Sequence, residues 1–307
     1  MSRLRIGTRG SALAQAQSAW VKRQLEQHDP RMRVEVCVIK TGGDRFLDTA
    51  IQDIGGKGVF TKEIEDALLR GEIDLAVHSL KDLPTELPQG LVIAAVPKRE
   101  DARDVMITRS KSKLAELASG AKVGTGSLRR RAQLLNQRSD LTVVPVRGNI
   151  DTRLGKLDEG QFDALIMAAA GLKRIGKEDR ISEFLSDDVC VSAVGQGALG
   201  IESRDDGVMR QRLAFLHDAA TFAEVTAERA LLERLCGGCH VPIGARARVD
   251  GDELKMIGVV ASPDGNQLCR SEIFGLAVEA DRLGKRLAEQ LLSRGADKLL
   301  ASILTDG

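Results

Sequence analysis

The chain reads as an α/β protein with two consecutive series of strand–helix units on mainly parallel sheets, followed by a small α+β domain. Three observations predict this. Over the first two-thirds, short apolar and β-branched runs alternate with stretches of helical period. A Gly/Thr/Ser turn closes a strand and opens a helix in both series. The last third changes character, with apolar runs separated by Asp-Gly turns. At 307 residues there is room for two or three domains, and a core can be buried without disulfides or metals.

Residues 4–8 predict the first strand and 11–27 the helix that follows. Residues 34–39, rich in β-branched side chains, predict a second strand. A long glycine-bearing loop over 41–58 leads to a helix that starts near Thr61 and stops at Gly71. Residues 75–78 and 91–96 are short buried strands. After the charged stretch 98–103 a similar series begins, with strands at 105–108, 122–124, 141–146 and 164–167 and helices between them. Beyond it, 221–235 predicts a helix. Residues 245–249, 254–261 and 268–273 form an antiparallel meander joined at Asp250-Gly251 and Asp264-Gly265, and an amphipathic helix covers about 276–294.

Lys+Arg 45 against Asp+Glu 44 leaves a net charge of +1, which argues against a dedicated nucleic-acid binder. Aromatic residues at 3% with no Tyr exclude a base-stacking platform. There is no apolar signal region at the N-terminus, and the longest nearly apolar stretch, 164–172, is well short of a membrane span. Cysteines at 37, 190, 236, 239 and 269 are an odd set in a chain without an export signal, so reduced thiols in the cytoplasm are expected.

Arg5-Ile6-Gly7-Thr8-Arg9-Gly10-Ser11 is echoed by Lys122-Val123-Gly124-Thr125-Gly126-Ser127. A strand, a small-residue turn and a helix start make an anion site from free N–H groups and the helix dipole; for one copy alone, an ordinary N-cap explains the pattern equally well. Two copies suggest two similar lobes, each presenting an anion-binding edge to a shared cleft. Arginines recur at these edges: Arg9, Arg129, Arg130, Arg147, Arg153 and Arg174, with Lys57 inside Gly55-Gly56-Lys57-Gly58. Arg outnumbers Lys by 30 to 15, and Arg is the better residue for bidentate carboxylate recognition. No Walker or Rossmann pattern is present, which leaves a carboxylate-rich small molecule as the anion.

His78-Ser79-Leu80-Lys81-Asp82-Leu83-Pro84 places an imidazole, a hydroxyl, an ammonium and a carboxylate at a strand's carboxyl end, where α/β folds bind ligands. A solvated loop is the bland alternative, and no Gly-x-Ser-x-Gly elbow supports a hydrolase. Cys236-Gly237-Gly238-Cys239-His240 matches c-type haem attachment, a redox dithiol or half a zinc site. The companion features of each are missing, with no export signal and no second Cys/His cluster. A thiol flanked by glycines leaves a covalent role open.

Together these segments resemble the porphobilinogen deaminase (hydroxymethylbilane synthase) family. The motifs occur in family order, from Ile6-Gly7-Thr8-Arg9-Gly10-Ser11 through Gly124-Thr125-Gly126-Ser127-Leu128-Arg129-Arg130, Val146-Arg147-Gly148-Asn149, Ala170-Gly171-Leu172-Lys173-Arg174 and Gly195-Gln196-Gly197 to Gly237-Gly238-Cys239-His240-Val241-Pro242-Ile243-Gly244. The resemblance implies two similar doubly wound lobes like those of periplasmic binding proteins and a small C-terminal α+β domain. Residues 1–98 with 196–216 would form lobe 1, 99–195 lobe 2 and 217–307 the C-terminal domain. It implies a dipyrromethane cofactor in thioether linkage to Cys239, on which four porphobilinogen molecules are condensed head to tail with loss of ammonia. Asp82 would be the catalytic carboxylate, buried and hydrogen-bonded to pyrrole N–H groups, stabilising a cationic azafulvene and managing protons. Lys81, Ser79, Thr125, Gly126, Ser127, Arg129 and Arg130 would bind cofactor. Arg9, Ser11, Lys57, Arg147, Arg153, Arg174 and Gln196 would bind substrate. No metal, nucleic acid, membrane or obligate protein partner is implied, and the family is usually monomeric. Cys236 departs from many relatives, which have no thiol there. Cys37, Cys190 and Cys269 are expected in the core. Two rival readings are a noncatalytic polycarboxylate-binding protein and a c-type haem or redox protein.

Overall fold

A computed structural model describes residues 3–40, 42, 61–235 and 241–305. Lys57, Cys236, Cys239 and most of the predicted 41–58 loop lie outside the described residues. The chain divides into two units, Met1–Arg99 with Ala198–Ala219, and Glu100–Gly197 with Ala220–Gly307.

The first unit begins with strands β1 (Arg3–Thr8), β2 (Arg33–Val38), β3 (Leu75–Ser79) and β4 (Leu91–Ala95) and helices α1 (Ala12–His28) and α2 (Lys62–Leu69). The chain then enters the second unit as β5 (Asp104–Thr108), β6 (Lys122–Gly124), β7 (Thr142–Val144), β8 (Ala164–Ala168) and the two-residue β9 (Glu183–Phe184), with helices α3 (Leu128–Gln137), α4 (Ile150–Asp158) and α5 (Ala169–Arg174). It returns to the first unit as β10 (Leu199–Arg204) and α6 (Val208–Leu213). Helix α7 (Ala219–Arg234), strands β11 (Ile243–Asp250), β12 (Glu253–Ala261) and β13 (Leu268–Leu276), and helices α8 (Ala280–Leu291) and α9 (Asp297–Thr305) complete the chain.

Two five-stranded sheets share one plan, with orders β2-β1-β3-β10-β4 and β7-β6-β8-β5-β9. In each, the first three strands run parallel and the fourth place is taken by an antiparallel strand that the chain supplies on crossing from the other unit, β10 and β5. Both sheets are apolar on two faces, as a doubly wound fold requires. Val105, Ile107, Leu165 and Met167 feed one cluster, and the alternating Met106, Ala164 and Ile166 feed another. Leu75 and Val77 likewise pack away from Ala76. The third sheet, β11-β12-β13, is the expected antiparallel meander, and α7, α8 and α9 build its core through Leu231, Leu287, Leu291 and Leu299.

Three elements differ from expectation. β9 and β10 are absent from the sequence reading. The single helix expected over 276–294 is instead a short 3-10 turn, α8, and a wide turn that Gly295 opens at φ 99 before α9 continues. Of the three cysteines expected in the core, only Cys190 is buried; Cys37 and Cys269 are half-buried.

The echoed turns are the same structure twice. Gly7 and Gly124 end equivalent strands, and a Cβ there would meet Ile73 Cδ1 at 2.3 Å or Leu165 Cδ2 at 2.6 Å. A side chain at either position would have to displace the tip of Ile73 or of Leu165. Ser11 then caps α1 by accepting from the Ala14 N–H, and Ser127 caps α3 by accepting from the Arg130 N–H.

Candidate functional site

In the first unit, the carboxyl ends of β1 and β3 converge on a pocket lined by Arg9, Ser11, Gln17, Thr61, His78, Ser79 and Asp82, among others. Strand pairing places these groups. β1 runs into the Arg9–Ser11 turn, and β3 ends at Ser79, whose Oγ accepts from Gln17 Nε2 at 2.8 Å. The chain then makes a 3-10 turn over Leu80–Asp82, pinned by buried Leu80 and Leu83 and by the bond from Leu80 N–H to Ala198 O at 3.0 Å. That turn lifts Lys81 and Asp82 outward, and both are exposed. The buried Asp82 expected from the sequence is thus corrected, because its strand ends three residues earlier and only the leucines of the turn point inward.

Beneath this pocket lies a cluster of titratable groups. His78 Nε2 is 2.8 Å from Glu202 Oε2 on β10, and Glu202 is fully buried. Buried Glu65 of α2 is pushed above the ordinary glutamate range by burial, with the Glu202 charge adding to it and a hydrogen bond from Thr61 opposing it.

In the second unit, Asp104 on β5 has no exposed surface and sits between two guanidiniums. Arg129 Nη1 donates to Asp104 Oδ2 at 2.7 Å, and Arg130 Nε donates to Oδ1 at 2.9 Å. Gln196 Nε2 donates to the same Oδ1 at 2.8 Å and the Cys190 thiol to Oδ2 at 3.3 Å. Burial alone would raise the Asp104 carboxyl, but the two arginines hold it well below the usual carboxylate range. Burial and the Asp104 charge push Cys190 up to about 12, so its thiol is neutral at physiological pH. Among the described residues one carboxylate faces these two guanidiniums, which leaves a surplus positive charge in a buried cluster that an anionic ligand would balance.

Further arginines extend the cluster. Arg153 is pushed down to about 10 by burial and by the neighbouring Arg130 charge, and its Nε donates to Gly148 O. Arg174 is pushed down to about 10 by burial, against the pull of Glu100, and Nη2 donates to Gly197 O at 2.6 Å. Arg147 is exposed in the turn before α4. Thr125, Gly126 and Ser127 form a tight bend in which Thr125 Oγ1 accepts from the Ser127 N–H. A Cβ on Gly126 would come within 2.8 Å of Val146 O, so the bend leaves room only for glycine.

The structure therefore brings Arg9, Ser11, Ser79 and Asp82 around one pocket, and Arg129, Arg130 and Gln196 around one carboxylate. Sequence reading missed Asp104, Glu202 and Thr61. Asp104 closes a charged stretch that reads as a linker, and its one signal is position, since it opens an apolar strand. Among the described residues no His/Cys/Asp/Glu group suited to a metal ion occurs, and no helix is long and apolar enough to cross a membrane.

Residues 4–211 match the family model "Porphobilinogen deaminase, dipyromethane cofactor binding domain", and 222–293 match "Porphobilinogen deaminase, C-terminal domain". Among curated relatives, the porphobilinogen deaminase of Trichlorobacter lovleyi is 52% identical over 98% of this chain and 96% of its own length. That of Pelobacter propionicus is 50% identical over 98% and 97%. Among solved structures, the substrate-binding domain of a putative molybdenum ABC transporter from Clostridium difficile aligns with TM-score 0.44 and 10% identity, over 70% of this chain and 92% of that one.

Proposed function

The chain belongs to the porphobilinogen deaminase family, and we propose that the cluster around Asp104 holds the carboxylate side chains of its pyrroles while Asp82 governs their protons. The enzyme is a transferase: it condenses four porphobilinogen molecules head to tail on a covalent dipyrromethane primer, with loss of ammonia, and releases hydroxymethylbilane. Our reading assigns the primer's thioether to Cys239, sets domain limits at 1–98 with 196–216, 99–195 and 217–307, and places the enzyme in the cytoplasm without an obligate protein partner.

The uncompensated charge of Arg129 and Arg130 on one buried Asp104 carries this assignment. Pyrroles bearing acetate and propionate supply the anions that such a cluster requires. The residues present fit the cofactor. When bound, dipyrromethane supplies the free pyrrole carbon to which the first substrate is joined. Arg130, Arg153 and Arg174 hold carboxylates by charge-assisted hydrogen bonds, and Gln196, bonded to Ala102 O and Asp104, fixes the guanidinium of Arg130 from the side.

Each condensation forms one carbon–carbon bond and breaks one carbon–nitrogen bond. Ammonia departs with the electron pair, and the receiving pyrrole loses a proton. Positive charge therefore develops on the substrate ring. The Asp82 carboxylate, raised on its turn beside Arg9 and Ser79, stabilises that charge through ring N–H groups and receives the proton.

Intact mass of the purified chain tests the reading, followed by mapping of the peptide that spans Cys236 and Cys239. An excess of two linked pyrroles on Cys239, and consumption of porphobilinogen that falls in Arg130→Gln, is the expected result. A chain that neither carries nor gains this adduct on incubation with porphobilinogen would return the protein to the polycarboxylate-binding alternative.

A further inference from the structure

Glu202 has no part in the reading above, yet it is the most deeply buried acid of the first unit. It lies on β10, in register with Ala76, while Gly200 of the same strand faces His78 directly. With no side chain on Gly200, the Glu202 carboxylate reaches the His78 ring diagonally across the pair. One oxygen meets Nε2 at 2.8 Å; the other, Oε1, is buried without a hydrogen-bond partner among the described residues. A buried carboxylate with one side-chain partner is costly, and pairing His78 and Glu202 by apolar residues would serve packing as well. Its one partner among the described residues, His78, lines the same pocket as Asp82, which points to use.

We propose that Glu202 is a positioning residue for that pocket, fixing His78 in the Nε2–H tautomer and leaving Nδ1 as the ring's hydrogen-bond acceptor for N–H groups of a bound pyrrole or ammonium. The chemistry is compelled by the partner. An ionised carboxylate only accepts, so the ring nitrogen against it carries hydrogen. The same logic governs any imidazole oriented by a buried acid. Among the described residues, Glu202 from β10 meets the ring and Glu65 from α2 is close enough to interact with it, while Arg9, Thr61 and Asp82 line the same pocket as His78. Helix α1 lines the pocket with Leu13, Ala14 and Gln17, which carry no charge. Of the two buried acids near the imidazole, Glu202 is the one at hydrogen-bond distance from a ring nitrogen, so it is the one that sets the tautomer. The ligand class rests on the function proposed above; the tautomer does not.

The test is ¹⁵N NMR of the histidine rings in the full chain, with and without Glu202→Gln. The wild-type His78 ring is expected as a single Nε2–H tautomer. An amide can present either its oxygen or its nitrogen, so E202Q should give a mixture of tautomers. Porphobilinogen turnover in E202Q should fall about tenfold or more in kcat, with KM within about twofold, since the substitution leaves the binding arginines intact. An Nδ1–H tautomer in the wild type, or a ring unchanged by E202Q, would overturn the proposal. So would an altered tautomer with wild-type kcat, which would confine Glu202 to packing. A chain that never consumes porphobilinogen would remove the ligand assignment while the ring spectrum still decides the role of Glu202.

Discussion

The two five-stranded sheets follow one plan and surround a buried acid differently. Each receives its fourth, antiparallel strand from a chain crossing, and each such strand brings one fully buried acid, Glu202 on β10 and Asp104 on β5. Asp104 is met by four side chains, two of them guanidiniums. Glu202 is met by one imidazole and keeps an oxygen without a partner among the described residues. A saturated acid anchors its neighbours, and the surplus charge lies with the arginines it holds. An under-bonded acid keeps capacity to act on its one partner. The corresponding strand thus carries a buried acid in both sheets, but three register positions apart, opposite Ala76 in one and Ala168 in the other, and with different partners. In the reading proposed above, one serves proton handling and the other anion binding.

The strongest way to break this contrast is at Asp82, an exposed acid of the first unit. Asp82→Asn should lower porphobilinogen consumption about 10²–10⁴-fold. Its stability to urea should stay within about 0.5 kcal/mol of wild type, because the side chain is exposed. Turnover near the wild-type rate would remove Asp82 from the chemistry.

Asp104→Asn should do the reverse in kind. Two buried guanidiniums lose their counter-ion, at a cost of about 3–5 kcal/mol in denaturant unfolding. The sign with pH follows from the direction of the shift. Asp104 is held below its unfolded value of about 3.9, so below that pH the unfolded chain binds the proton first. Its contribution is complete above about pH 5 and is lost as pH falls through 4 and below. Wild type should therefore lose stability over that range more steeply than Asp104→Asn, and parallel acid limbs would show that the arginines do not depress this carboxyl.

Arg153→Gln sharpens the second half of the contrast, since Arg153 crowds Arg130 without sharing Asp104. Removing one charge-assisted contact of about 1.5–3 kcal/mol should raise the KM for porphobilinogen about tenfold or more, with a smaller change in kcat. A fall in kcat at constant KM would instead place Arg153 at the reacting atoms.

Much of this architecture was legible in the sequence, for a physical reason. The echoed turns, the Leu80–Asp82 loop and the arginines sit at strand ends, where local chemistry leaves a local pattern. What stayed hidden depends on pairing across long separations. All of Leu199–Ser203 is buried, so β10 shows no alternation, and nothing near it in sequence reveals that it fits between β3 and β4. Glu202 in that run reads as an ordinary surface acid until His78, 124 residues earlier, is seen against it. Asp104 is hidden in the same way, because its partners Arg129, Arg130, Cys190 and Gln196 are gathered only by the fold. Arg129 illustrates the result: marked for ligand binding by its loop-edge position, it is turned onto Asp104 and Val191 O.

The smallest effect tests how far the saturation of Asp104 matters. Cys190 donates a neutral hydrogen to Asp104 Oδ2, and the thiol, pushed up to about 12, contributes no charge at any pH where the protein works. Cys190→Ala removes that donor and one sulfur atom but leaves Arg129 on the same oxygen at 2.7 Å, so the carboxylate keeps a charged partner. The loss should be about 1 kcal/mol in urea unfolding, with the acid limb of the stability curve parallel to wild type. KM for porphobilinogen should not move, because the surplus charge is unchanged. A loss approaching that of Asp104→Asn would mean that the thiol, rather than the guanidiniums, supports the buried acid. The two lobes would then differ less in charge than in the number of donors each acid is given.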